Sequence, residues 1–330
     1  MSCFSAHGRI SLASVLLCVC LALAVLPLAS CEKEMPKRLD GMYGSDGAAA
    51  DGSSQQPDVS DEMTDADGSQ PAAETFDAPR FQSGSYVMTA SSVNEYKIYE
   101  GKSVVSYDRS SQTYTYGIRL TAQKGGAMKA VYTFRRIVLG YETQDGAQTA
   151  DTSDKQGKND YTAVYYDLIG QSFTVEIAGD GTLSVKGIDA LHEKIPDSAT
   201  VVTEENMREM AGDLFYPLDS ELQIGSSWQL TQGGIVNTYR VASRNDKQMF
   251  VDIAGGQLTL PEPYTQNDIT YTYTSCDPLS GTLTVERGDR MIQEQSSYQE
   301  MKGTLQYGSR KLTFVRSVSS TAQIHRTDRK

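Results

Sequence analysis

The sequence predicts a mainly β protein: an antiparallel sheet forming a half-barrel or sandwich, with a short helical segment near 188–215. Three observations carry this. Eighteen of the nineteen tyrosines lie beyond Arg80, among many Thr, Val and Ile residues. Apolar and polar residues alternate there at period two, the mark of strands with one face packed and one wet. Helix signals are confined to one stretch between two strand-rich regions.

In chain order, the first element lies outside this domain. Arg9 is the only fixed charge before an apolar run from Ile10 to Ala29, which ends Leu28-Ala29-Ser30-Cys31. A weakly positive start, an apolar middle and small residues at the end predict a secretory signal over 1–30. The small residues followed at once by Cys31 resemble the bacterial lipobox. That resemblance implies cleavage before Cys31 and a lipid-modified thiol carrying acyl chains such as palmitate. The run is about long enough to span a bilayer, but Pro27 and the lipobox close it. The expected location is the cell envelope, lipid-anchored to a bacterial membrane on its periplasmic or cell-surface side.

Residues 31–79 read as the lipidated N-terminus and a disordered acidic tether. Between Asp40 and Pro79 there are ten acidic residues and no Lys or Arg, so most of the net charge of −12 lies there. So polar a segment cannot bury enough surface to offset its ordering entropy. The β-rich domain, 80–330, is left close to neutral. With no basic excess to hold phosphates, it is expected to have no nucleic-acid partner.

Within the domain, Tyr114, Tyr116, Ile118 and Leu120 alternate with Thr115, Gly117, Arg119 and Thr121. In residues 130–141 the phase switches: Tyr132 and Phe134 share one phase, Ile137 and Leu139 the other, with Arg135-Arg136 between. That predicts a bulge, or a strand covered on both faces. Residues 143–160 read as a polar loop, and 161–168 as a tyrosine-rich one. Phe173, Val175 and Ile177 lead through Gly179-Asp180-Gly181 to Leu183 and Val185, a hairpin pattern. Met249-Val251-Ile253, Ile269-Tyr271-Tyr273, Leu283-Val285 and Leu312-Phe314 repeat the alternation. Turns are expected at Gly255-Gly256, Arg287-Gly288-Asp289 and Tyr307-Gly308.

A short helix is predicted from Ile188 to Ile195, stopped by Pro196. A second starts at Thr203 as N-cap, with Glu204 and Glu205 in its first turn and Val202 positioned to staple onto Met207. It is expected to run to Leu214, before Pro217.

Catalytic signals are sparse. His192 and His325 are the histidines of the mature chain, and they are far apart. His192-Glu193 begins like the zinc-protease helix motif, but Pro196 stands where the second His belongs. Asp65, Asp67, Gly68 and Glu74 fit part of a calcium loop, yet Met63 takes the first position and Pro71 the ninth. Cys276 has no basic neighbour in sequence to activate it and reads as an inert small residue. No G-x-S-x-G, S-x-x-K or phosphate-binding glycine loop is present. No enzymatic activity, metal or cofactor is expected.

The segment Gly170-Gln171-Ser172-Phe173-Thr174-Val175-Glu176-Ile177, then Asp180-Gly181, then Val185-Lys186-Gly187-Ile188-Asp189, resembles a hairpin from an uncharacterised family of secreted bacterial β-rich proteins. The G-x-x-W element from Gly225 to Trp228 extends the resemblance, which would span roughly 80–325. It implies an exported protein and no catalytic residues.

An apolar sheet face must meet something. The sheet closes as a sandwich or barrel, or it curls into a half-barrel lidded by 188–215. The second arrangement is similar to lipoprotein carriers that hold acyl chains in a curved sheet. On that reading Met207, Met210 and Leu214, at helical spacing, line a ligand site with Trp228. Otherwise they fill the core, and Trp228 is a core anchor. The expected function is non-enzymatic binding or scaffolding in the envelope. Its partners are then the membrane, through the N-terminal lipid, and an apolar ligand or an envelope protein. A surface adhesin or envelope-assembly module is the alternative.

Cys31→Ala is expected to leave an unprocessed precursor without the lipid mass, as read by mass spectrometry of membrane fractions. Normal cleavage and membrane retention of the variant would refute the anchor.

Overall fold

The computed structural model describes residues 82–328 apart from 179–181, 213–221, 233–234, 257–259, 261, 267 and 288–290. The signal segment, Cys31, the acidic tether, the calcium-like stretch, Leu214 and the Gly179-Asp180-Gly181 turn lie outside the described residues.

Alternation sets the strands. In β1 (Gly84–Glu100), Tyr86, Met88, Ala90 and Ser92 are buried while the residues between them are not. A two-residue turn, Gly101-Lys102, returns the chain as β2 (Ser103–Ala122), and β3 (Met128–Thr143) follows. The expected bulge is present in β3. Thr115 pairs with Arg136 and Tyr116 with Phe134, so Arg135 has no partner in the ladder. The bulge keeps Phe134 and Ile137 buried on one face although they are three residues apart.

The polar loop expected over 143–160 is instead mostly structured. Strand β4 (Gly146–Asp151) folds back on the distal half of β3. A short 3-10 turn, Lys155–Gly157, follows. The strand has no apolar period because it is exposed along most of its length. The hairpin turns at Gln144-Asp145, and Gly146 opens the strand. The tyrosine-rich loop likewise holds a helix, α1 (Ala163–Leu168), which buries Tyr165 and Leu168.

The β5 (Ser172–Ile177) and β6 (Leu183–Lys186) hairpin forms as predicted. So do helices α2 (Ile188–Lys194) and α3 (Glu204–Gly212). Thr203 caps α3, its hydroxyl accepting from the Asn206 amide at 3.2 Å. Beyond them come β7 (Ser227–Gln232), β8 (Ile235–Arg244), β9 (Gln248–Gly255), β10 (Tyr264–Gln266), β11 (Ile269–Cys276), β12 (Ser280–Glu286), β13 (Ile292–Tyr307) and β14 (Arg310–Arg326). Gly255-Gly256 ends β9 but does not make a tight hairpin, since the next strand begins at Tyr264.

All fourteen strands belong to one antiparallel sheet, ordered β6-β5-β3-β2-β1-β14-β13-β12-β9-β8-β7. Two strands fork it. β3 pairs with β5 along one half and β4 along the other. β13 pairs likewise with β12 and β11, and β10 extends β11. The sheet is open, neither closed into a barrel nor split into the two sheets of a sandwich.

Its inner face is dry where the helices cover it. Tyr116, Tyr132 and Phe173 on one flank and Tyr239, Val251 and Leu283 on the other share one buried cluster with Ile188, Leu191, Met207 and Met210. The sheet therefore bends around the helical segment. Tyr116 packs edge-on to Tyr132, ring centroids 5.9 Å apart, and Tyr132 stacks on Phe173 at 5.1 Å. The Tyr116 and Tyr132 hydroxyls are buried with no hydrogen-bond partner among the described residues. Burial holds both phenols far above their ordinary pKa, so they stay neutral.

Two stability measurements follow from this packing. Met210, 1 % exposed, sits inside the cluster, so Met210→Ala should cost about 2–5 kcal/mol in urea denaturation. A loss below about 1 kcal/mol would mean a loose lid. Tyr116→Phe removes an unsatisfied buried hydroxyl and should be neutral or stabilising by up to about 1–2 kcal/mol. Clear destabilisation would reveal a partner, such as a buried water.

Candidate functional site

Because paired residues of neighbouring strands face the same side, the register defines rows across the inner face. One row runs Trp228, Tyr239, Ile253, Gly281, Ser297, Ser320, Ser92, Gln112 and Leu139. Its ends are large and apolar and its middle is small and polar. Ser92, Gln112, Ser297 and Ser320 are all buried, as are Gln295 and Gln299 in adjacent rows of β13. The Ser297 and Ser320 hydroxyls are 2.6 Å apart, and Tyr114 donates to the Gln112 carbonyl at 3.2 Å. A polar belt thus crosses the sheet and bounds the helix-covered core.

Beyond the belt the same face continues on the distal halves of β1, β2, β13 and β14, joined by β10 and β11. Here Phe314 is the centre. Its ring lies against Tyr96 at 5.3 Å, Tyr273 at 5.2 Å and Tyr271 at 6.3 Å, and Tyr264 stacks on Tyr271 at 5.0 Å. Gly303 makes this possible. It pairs with both Phe314 and Tyr273, and a Cβ there would meet the Phe314 ring at 2.4 Å. The four tyrosines are half-buried, so this aromatic patch is open where the core is closed.

Arg316 stands directly opposite Tyr96 and is also half-buried. Its Nε donates to the Asn94 side-chain oxygen at 2.8 Å. Among the described residues no carboxylate lies within ion-pair distance of it. The Tyr96 hydroxyl is buried and has no hydrogen-bond partner among the described residues. Burial, then the neighbouring Tyr271, Tyr264 and Tyr273, hold the Tyr96 phenol well above its usual pKa. Burial does the same for Tyr264. Both are neutral hydroxyls at any physiological pH.

The residues singled out in the sequence lie elsewhere. Met207 and Met210 are packed in the core cluster, and Val202, fully buried, joins them. Trp228 packs on the edge of that cluster, stacked on Tyr239 across the β7–β8 pair at 5.4 Å. His192 Nε2 is 2.8 Å from the Val202 carbonyl oxygen, an intrachain tie between α2 and the segment before α3. The Cys276 thiol is pushed up by burial and then by Asp277, and Gln299 donates to its sulfur at 3.4 Å. Among the described residues no three His, Cys, Asp or Glu side chains gather as a metal site requires.

A hollow of about 410 Å³ lies over β12–β14, lined mainly by small hydroxyl residues such as Ser280, Thr282, Ser296 and Thr321. The Thr282 and Ser296 hydroxyls bond to each other at 2.8 Å. Sequence patterning did not reveal the distal patch, because its members come from five strands. The one readable sign was Tyr271-x-Tyr273 with a period-two partner at Phe314.

Comparison with known proteins adds little beyond a family of unknown function. No curated protein matches the chain. A solved structure described as "Lipid-protein interactions in lipovitellin" is similar over 76% of this chain at 9% identity and a TM-score of 0.44. The chain covers 26% of that protein. An outer membrane channel from Pseudomonas putida F1 is similar over 78% of this chain and 100% of its own, at 7% identity and a TM-score of 0.23. At these scores neither likeness bears on ligand or activity. A family of unknown function, DUF6263, matches residues 125–215, from the start of β3 through α3. That match holds the Gly170–Asp189 hairpin segment and stops short of the Gly225 to Trp228 element.

Proposed function

We propose that this chain is a lipid-anchored envelope protein that works by binding an apolar ligand, without catalysis, and that the ligand lies on the distal aromatic patch. The anchor rests on the Leu28-Ala29-Ser30-Cys31 run. One observation carries the site: five aromatic rings, Tyr96, Tyr264, Tyr271, Tyr273 and Phe314, gather on the inner face beyond the helices, four of them half-exposed. Aromatic surface that a fold leaves uncovered at a polar border is where apolar partners gain most by leaving water. This reading assigns Met207 and Met210, buried in the core cluster, to the fold.

Nile red, a neutral dye that fluoresces in apolar surroundings, tests this. The folded chain should bind it, and Tyr271→Ala or Tyr273→Ala should weaken binding roughly tenfold, a loss of about 1.4 kcal/mol. Met210→Ala should lower the denaturation midpoint while leaving dye affinity in place. Absence of binding by the parent, or loss in Met210→Ala alone, would move the site away from the distal patch.

A further inference from the structure

Resting on that reading of the distal patch, we propose that its ligand is an amphiphile with an anionic head, seated between the Arg316 guanidinium and the Tyr96 hydroxyl, its apolar tail lying along the Phe314–Tyr273 rings. The charge arrangement supports this. Arg316 is half-buried on the packed face of the sheet, and its Nε–H bond to Asn94 leaves its terminal nitrogens without a partner among the described residues. By contrast Arg109, Arg136, Arg208, Arg310 and Arg326 each pair with a carboxylate. The carboxylate in the same row, Asp108, lies on the far side of Tyr96. Two strand spacings put it about 10 Å from Arg316, and it already accepts from the Tyr141 hydroxyl at 3.0 Å.

A guanidinium offers planar paired donors that match a carboxylate or phosphate. Tyr96, neutral and without a hydrogen-bond partner among the described residues, holds a buried O–H in the adjacent position of the same row, which a head group entering beside the guanidinium would engage. Next to them, Met301 pairs with Arg316 and the Phe314 ring covers Gly303, so the surface turns apolar within one row. A charged head beside an apolar wall is complementary to an amphiphile and to neither a small anion nor a neutral oil alone.

Decanoate and its methyl ester separate these possibilities, with the full chain kept soluble in an amphipol and each ligand titrated calorimetrically against an amphipol blank. The parent should prefer decanoate over the ester by at least tenfold. Arg316→Gln should bring the ratio near one, and Tyr96→Phe should lower it severalfold. Unchanged near-ultraviolet circular dichroism of each variant excludes misfolding as the cause. Equal binding of acid and ester by the parent would overturn the anionic head while leaving an apolar site in place. Displacement of decanoate by acetate at equal concentration would show a small-anion site and overturn the amphiphile. No binding of decanoate, ester or Nile red would overturn the patch as a site altogether.

Discussion

Coverage of one long apolar face is the constraint on which this structure depends. A 17-residue strand such as β1 extends about 55 Å, whereas the nine residues of α3 span about 14 Å. The three α-helices among the described residues, six to nine residues long, are too short to span a sheet of that length. The sheet answers in part by bending, so that inner-face residues of β5 and β9 join one buried cluster with the helices. What remains must be covered by the sheet's own side chains, or be made tolerant of water.

The belt of Ser92, Gln112, Ser297 and Ser320 is that adjustment. Small hydroxyls and amides on the inner phase can hydrogen-bond among themselves, so they remain buried at the edge of the core without the cost of unsatisfied groups. Past the belt, large aromatics cover one another across strands. Gly303 gives up its own side chain so that the Phe314 ring can lie over it and reach Tyr273. The fork at β13 has the same logic. β12 flanks its core half and β11 its distal half, so one strand carries both environments.

The legibility of the sequence follows this division. Where the inner phase is apolar, as in Tyr114-x-Tyr116-x-Ile118 or Phe173-x-Val175-x-Ile177, the strands were readable, and the β3 bulge was readable from its phase switch. Helix α3 was readable from Thr203 and the acidic first turn. The first half of β13 was not, because Gln295, Ser297 and Gln299 occupy its inner phase and erase the apolar period. β4 was hidden because it is exposed along most of its length. Tertiary assembly was out of reach for the distal patch, since Tyr96 and Arg316 face each other across 220 residues through the pairing of the first and last strands.

Among the described residues, two groups of unpartnered polar atoms differ in kind. The Tyr116 and Tyr132 hydroxyls are sealed among rings with no approach from solvent. They are a local flaw in packing whose removal should leave the fold intact or better. The Tyr96 hydroxyl is buried too, but it belongs to a half-buried residue and stands beside the half-buried Arg316, next to an apolar wall. A carboxylate on a neighbouring strand would have neutralised Arg316, yet the row places Tyr96 there and holds Asp108 one strand further away, bonded to Tyr141. In a sheet whose other choices agree with one another, a charge kept without its counter-ion and within reach of solvent is the inconsistency expected of a site. The sealed phenols, out of reach of any ligand, are the inconsistency expected of tolerated strain.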